Sequence, residues 1–362
     1  MDTPPIPTSP DHLTAEWITF ALREAGLDGV VVSEIQVNPL DATSGASGTY
    51  AVVELRYSNR VERAPDTLFA KMTDESLRDF LGNSFVREIS VYREYIPKLQ
   101  ISTPRLYFGV AEAAGGPAIL LIEDLSAYRL GDFNFGASKA EIEAAVTTLA
   151  TAHSAYWDDD DLIQDDRLLS GGYAGEKAKY QISEMAAAQE MGIAKQEGVS
   201  EYIDKALLAL ADEFETLGAR IMSPPRTLSH SDYRIDNLLF SGPAEKPGVT
   251  VFDWGTVGSL RGTYDLASFL TSSYLPDTEE SARIPVDLYY QTLLKSGVTG
   301  YSREDLQVDY ATAALLMLHR RVVGTYWART RGQSEGVLGM RRTGLQRCAR
   351  HIELLKLADI LN

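Results

Sequence analysis

One change of texture constrains this chain more than anything else in it. Up to Leu125 the apolar residues come in short runs separated by turn residues; beyond it they recur at helical spacing over long stretches. Residues 49–57 set Tyr50, Val52 and Glu54 against Ala51, Val53 and Leu55, the period of a half-buried strand. Further strands are expected at 30–37, 67–72, 105–110 and 118–122, the last two divided by the turn Gly115-Gly116-Pro117. A helix at 14–25 stops near Gly26, and another carries Phe85, Ile89, Tyr92 and Ile96 on one face. After Leu125, helices are expected at 139–156, 176–191, 200–222, 286–295 and 303–328, with one β interruption at 238–252. The class is therefore α+β, an antiparallel sheet with one inserted helix followed by a larger, mainly helical part.

The length of 362 residues suits two domains, and 44% hydrophobic residues suffice for a sizeable core. With 34 Lys and Arg against 51 Asp and Glu the net charge is −17, a poor basis for binding nucleic acid or an anionic membrane. A single cysteine, Cys348, excludes an intrachain disulfide and a Cys-rich zinc site, and is read as a buried core thiol. The N-terminus has neither the basic nor the apolar region of a signal peptide, and no apolar run approaches the ~18 residues of a membrane span. The expectation is a cytoplasmic protein, a monomer or homodimer.

Chemistry concentrates in His230-Ser231-Asp232-Tyr233-Arg234-Ile235-Asp236-Asn237, which fits the pattern H-x-D-x-x-x-x-N. Two short apolar strands follow, joined by a Gly- and Pro-rich turn and ending at Asp253-Trp254-Gly255. Antiparallel pairing brings the start of the first strand beside the end of the second, so Asn237 and Asp253 emerge together with Asp232 just upstream. Two oxygen ligands beside a free carboxylate are what a Mg²⁺-nucleotide transfer site needs. Taken singly, each of these residues is an ordinary turn residue. The upstream sheet supplies the complement: Lys71 on a strand and Glu88 on the inserted helix, in the order by which kinases hold nucleotide phosphates. Between the first two strands, Ser44, Gly45 and Ser47 lie in a turn whose amides can approach phosphates, although the pattern is not G-x-G-x-x-G.

The combination resembles the aminoglycoside phosphotransferase and choline kinase superfamily, and within it most closely the ecdysteroid-kinase-like (CHK-kinase-like) group. The resemblance runs from about Gly45 to Leu270. Its residues are Phe85 through Tyr92, Thr103-Pro104-Arg105, Ile119 through Leu125, Leu149 through Trp157, the 230–237 loop, and Asp253-Trp254-Gly255 continuing to Asp265 through Leu270. It implies a protein-kinase-like bilobal fold with an N-lobe at 1–122, a hinge at 123–125 and a helical C-lobe at 126–362. It implies ATP and Mg²⁺ as cofactors. Asp232 would be the catalytic base, His230 would brace its loop, and Asn237 and Asp253 would hold the metal. Lys71 with Glu88 would hold phosphates, and the backbone of Glu123 to Leu125 would meet adenine. His153 is read as a structural histidine. Ser231 stands where aminoglycoside kinases usually carry glycine, and Trp254 where DFG has phenylalanine. No A-P-E segment follows Asp253, Asp265-Leu266-Ala267 occupying that region, which opposes a protein kinase.

The expected reaction is transfer of the ATP γ-phosphoryl group to a hydroxyl of a small molecule. The acceptor stays open. Met185, Met191, Tyr202, Phe214, Tyr326 and Trp327 favour an apolar, steroid- or polyketide-like alcohol where they line the cleft, but at helical spacing such residues more often form core. The net charge favours an aminoglycoside or a choline-like cation. The basic cluster His319-Arg320-Arg321 is read as a surface feature or a partner of acidic residues. A catalytically silent nucleotide-binding regulator is the rival from another class.

Overall fold

The computed structural model describes residues 4–40, 48–73, 83–112, 115–168 and 172–361. The chain forms two compact units: residues 1–98, 102–129 and 251–256 make the first, and residues 99–101, 130–250 and 257–362 the second.

The first unit is built on an antiparallel five-stranded sheet. Its strands are β1 (Val31–Leu40), β2 (Thr49–Asn59), β3 (Thr67–Met72), β4 (Leu106–Ala111) and β5 (Ala118–Glu123), in the order β1-β2-β3-β5-β4. β5 lies between β3 and β4 and is buried along all but its last residue, which is why it reads as an unbroken apolar run rather than an alternating one. Helix α1 (Ala15–Glu24) is capped by the Thr14 hydroxyl, which accepts the Trp17 N–H at 3.1 Å. Its buried stripe of Trp17, Ile18, Ala21 and Leu22 joins Val53, Leu68, Ala70, Met72, Ile119 and Leu121 in the core. Each such side chain taken from water contributes roughly 1.5–3 kcal/mol. Helix α2 (Ser84–Glu94) buries Phe85, Ile89, Val91 and Tyr92, and with them the carboxylate of Glu88.

The second unit is mainly helical. Its principal helices are α3 (Lys139–Ser154), α4 (Gly175–Glu190), α5 (Glu201–Ile221), α6 (Thr263–Ser273), α7 (Glu279–Lys295), α8 (Arg303–Thr330) and α9 (Glu335–Leu355). The expected β interruption is present as two neighbouring strands, Leu238–Ser241 and Gly248–Val251. A further antiparallel pair, Thr227–Ser229 with Gly258–Leu260, escaped the sequence reading, because strands of three residues are too short to display a period. Helix α6 escaped it too: all of its residues are buried, so no polar face marks it. Helix α7 begins well before Pro285, where a capping box between Thr278 and Ser281 starts it. Pro285 has no N–H for the Ser281 carbonyl, which instead accepts the Tyr274 hydroxyl at 3.5 Å.

Candidate active site

In the first unit the site centres on one buried cation. β3 is flanked by β2 and β5, and Lys71 within it is only 6% exposed. Its ammonium donates to Glu88 Oε2 at 2.8 Å and to Asp253 Oδ1 at 2.7 Å, and stands 5.5 Å from the Phe85 ring. Burial opposes the charge, but Asp253 and Glu88 outweigh it and hold the ammonium well above its ordinary value. The sequence predicts the Lys71–Glu88 pair; the structure adds Asp253 as a third member. Asp253 adopts a left-handed backbone (φ +63°) at the entry to a short 3₁₀ turn, Trp254–Thr256. Trp254 is buried and donates to the Val251 carbonyl at 3.4 Å, and Arg87 of α2 donates to the Gly255 carbonyl at 2.7 Å. Asp253 spends one oxygen on Lys71 and remains about a third exposed. Glu123 closes β5, its N–H donating to the Arg105 carbonyl at 2.8 Å, and the Leu125 carbonyl accepts from Tyr128 at 2.8 Å. Ser44, Gly45 and Ser47 lie outside the described residues.

In the second unit the site is the 230–237 loop. Asp265 on α6 is completely buried and acts as its clamp: the backbone N–H groups of His230 and Ser231 donate to its two oxygens at 2.7 and 2.8 Å. His153 of α3 stands 3.2 Å from Asp265 through Nε2 and 2.8 Å from the Tyr289 hydroxyl through Nδ1, which agrees with a structural histidine. Gly262 is held to glycine by this pair, since a Cβ there would lie 2.2 Å from the Tyr289 hydroxyl. His230 is itself buried, its ring 6.0 Å from that of Tyr233, so it joins the loop to the core.

Ser231 has a left-handed backbone (φ +62°), a conformation that glycine adopts without strain. Ser231→Gly is expected to keep both stability and turnover. Ser231→Val, β-branched in that conformation, is expected to lose about 1–3 kcal/mol of stability and most turnover. Denaturant melts with parallel assays check this, and a fully active, stable valine variant would contradict it.

Asp232 emerges from the clamped loop. The Asn237 amide group donates to the Asp232 carbonyl at 2.8 Å and to Asp232 Oδ2 at 3.1 Å. Two cations face the other oxygen: Arg234 Nε and Arg320 Nη2, each 3.3 Å from Oδ1. Arg320 also reaches the Ser231 carbonyl at 3.4 Å. Burial pushes the Asp232 carboxyl up, but Arg234, Arg320, His230 and Arg321 together bring it down to about 2. Arg320 was read from sequence as a surface feature or a partner of acidic residues, and it is both: exposed, and paired with Asp232. For His319 and Arg321 the surface reading is corrected: both are buried on α8, the His319 ring 4.4 Å from that of Phe214 and tilted by 35°. Met185 and Phe214 are core residues rather than cleft-lining ones. Trp327 stacks on Tyr180 at 6.4 Å, and the Tyr202 hydroxyl donates to Asp359 at 2.9 Å. Cys348 is buried, as expected.

A profile of the phosphotransferase enzyme family matches residues 84–302, a stretch that holds Glu88, the 230–237 loop, Asp253 and Asp265. The chain belongs to that family. Among solved structures it is similar to a candidate aminoglycoside phosphotransferase of Ralstonia eutropha, at 14% identity and TM-score 0.57, over 96% of this chain and 98% of that one. It is also similar to the choline kinase of Cryptosporidium parvum, at 10% identity and TM-score 0.53, over 95% and 96% of the two chains. A third is an amicoumacin kinase in complex with AMP-PNP, Ca²⁺ and Ami, at 14% identity and TM-score 0.50, over 90% and 92%. No curated relative matches the sequence. The fold is thus kinase-like, with an antiparallel-sheet N-terminal part and a mainly helical remainder, and the protein is a phosphotransferase by family. Among the described residues, no helix is long and apolar enough to cross a membrane.

Proposed function

We propose that the protein is an ATP- and Mg²⁺-dependent kinase of small hydroxylated molecules. The observation that carries this reading is the buried ammonium of Lys71 held between Glu88 and Asp253, a cation placed for phosphates with a carboxylate beside it. Asp232 takes the proton of the acceptor hydroxyl, whose oxygen forms a bond to the γ-phosphorus. The bond from that phosphorus to the β–γ bridging oxygen breaks, and ADP leaves. The protein contributes by positioning and by neutralising charge. Among the described residues no group of three or more His, Cys, Asp or Glu could hold a metal, but Mg²⁺ needs fewer protein ligands than that, keeping water and phosphate oxygens for itself. The donor set fits it. Asn237 uses its amide nitrogen on Asp232, which leaves the amide oxygen for a metal, and Asp253 uses one oxygen on Lys71, which leaves the other. Held by such residues, Mg²⁺ would supply positive charge against the nucleotide phosphates.

Within the family we keep the ecdysteroid-kinase-like group as the nearest kin, on the stretches quoted above, and 123–125 as the hinge that meets adenine. Cytoplasmic work as a monomer or homodimer, without nucleic acid or membrane, is our reading from composition. For the acceptor, Arg234 and Arg320 against Asp232 oppose an aminoglycoside or choline-like cation, so the apolar alcohol is the better of the two classes.

Asp253→Ala is expected to weaken binding of nucleotide with Mg²⁺ by about tenfold or more, read by titration calorimetry; an unchanged affinity would count against the metal role. The deciding experiment is ADP release against sterols, macrolides, aminoglycosides and amino alcohols, with the product mass measured. Nucleotide binding without any transfer would support the silent regulator, and transfer to generic peptides a protein kinase.

A further inference from the structure

Four arginines gather around a single catalytic carboxylate in an otherwise strongly acidic chain. Arg234 and Arg320 contact Asp232 directly, and Arg234 also pairs with Asp236 at 3.1 Å. Arg321 and Arg341 lie within electrostatic reach of the same group. Counting Asp232 and Asp236 against the four cations leaves this spot with two positive charges in excess, while the whole chain carries −17.

Arg321 is the informative member. It is 7% exposed, on the long buried helix α8. Its Nε is buried without a hydrogen-bond partner, and no carboxylate lies within ion-pair distance of its guanidinium among the described residues. A buried guanidinium normally has carboxylate or carbonyl partners, as Arg261 has in Asp309 at 2.7 Å and in the Arg220 carbonyl at 2.9 Å in this same unit. Burial and repulsion from Arg320 and Arg234 even draw Arg321 down to about 10, and burial and the same two neighbours draw Arg341 down as well. Such a group is expensive to keep unpaired in the resting protein.

We propose that the acceptor is an anion, and that its carboxylate or phosphate pairs with Arg321, flanked by Arg320 and Arg341, while its hydroxyl meets Asp232. This rests on the reading of Asp232 as the group that receives the hydroxyl proton. An anionic acceptor supplies the missing partner, relieves the repulsion among the arginines, and frees Asp232 from Arg320 as the hydroxyl arrives. The substrate class becomes a hydroxy acid or a phosphorylated alcohol, whose apolar portion is compatible with the class favoured above.

Two measurements test this. The first needs no turnover: the unfolding midpoint of the resting protein with added oxalate, against chloride at equal ionic strength. Arg321→Met is expected to raise the midpoint by a few degrees without oxalate, since an unpaired buried charge is removed, and to abolish the extra stabilisation that oxalate gives the unaltered protein. Arg321→Lys should retain part of the oxalate response. A lower midpoint for Arg321→Met, or an undiminished oxalate response, overturns the proposal. The second compares ADP release with 4-hydroxybutyrate, 10-hydroxydecanoate and glycerol 3-phosphate against the methyl esters of the two acids and against choline. The anions are expected to be the better substrates, with KM rising about thirtyfold or more in Arg321→Met and the KM for ATP unchanged. Turnover of esters or choline in preference, abolished by Asp232→Asn, overturns the anionic acceptor while keeping the kinase; turnover that survives Asp232→Asn overturns the reading beneath it.

Discussion

Asp232→Asn is expected to lower turnover by about 10²–10⁴-fold while leaving nucleotide affinity unchanged. The amide keeps the shape of the carboxylate but cannot accept a hydroxyl proton, and it loses the charge that orients the acceptor. Nucleotide binding should survive under the proposed reading, because Lys71, Glu88 and Asp253 form their own ion-paired set, without Asp232. Single-turnover kinetics with a saturating acceptor, alongside calorimetric titration of nucleotide, check both halves. A kcat within a few-fold of the unaltered protein would remove Asp232 from the role of base. The same carboxyl sets a pH signature. Its folded value, about 2, is below the 3.8 of a free aspartate, because Arg234, Arg320, His230 and Arg321 overcome the effect of burial. The group therefore contributes its stability, about 2 kcal/mol, fully above pH ~4, and loses it as the pH falls towards 2. Asp232 stays ionised throughout the neutral range.

Asp265→Ala is the largest expected loss of stability. The side chain is wholly buried, accepts two backbone N–H groups of the 230–237 loop at 2.7 and 2.8 Å, and stands 3.2 Å from His153. Its removal leaves two buried donors without acceptors and deprives His153 of its neighbour. Breaking such a set costs about 3–5 kcal/mol, a large share of the 5–15 kcal/mol that holds a typical protein folded. Denaturant unfolding measures the loss. Asp265→Asn keeps the volume and one acceptor oxygen, and should fall between the two. Activity should fall with stability, because Ser231 sits at φ +62° against the clamp and Asp232 follows it in the chain. An alanine variant within about 1 kcal/mol of the parent would show that the loop holds its shape without Asp265.

Lys71, Glu88, Asp232, Asn237 and Asp253 could be singled out from the sequence because local pattern marks each of them: a strand lysine, a helix glutamate, and polar residues at the mouths of a hairpin; the structure joins Lys71 to Glu88 and Asp253, and Asp232 to Asn237. The clamp was not. Asp265 appears in the sequence as an acidic residue near the start of an apolar stretch, and α6 lacks the polar face that would have revealed it as a helix. Arg320 and Arg321 were visible as charges, but their separation from Asp232 by more than eighty residues hides that they act on it.

The sequence by itself determined the α+β class, the positions of most helices and strands, and the chemical inventory of the site, because hydrophobic period and turn chemistry act over a few residues at a time. Only the tertiary structure decided which charges meet. It put Asp253 on Lys71, Asp265 beneath the 230–237 loop, and arginines around Asp232. The energy of a charge depends on its burial and its nearest partners, and both are properties of the folded chain alone.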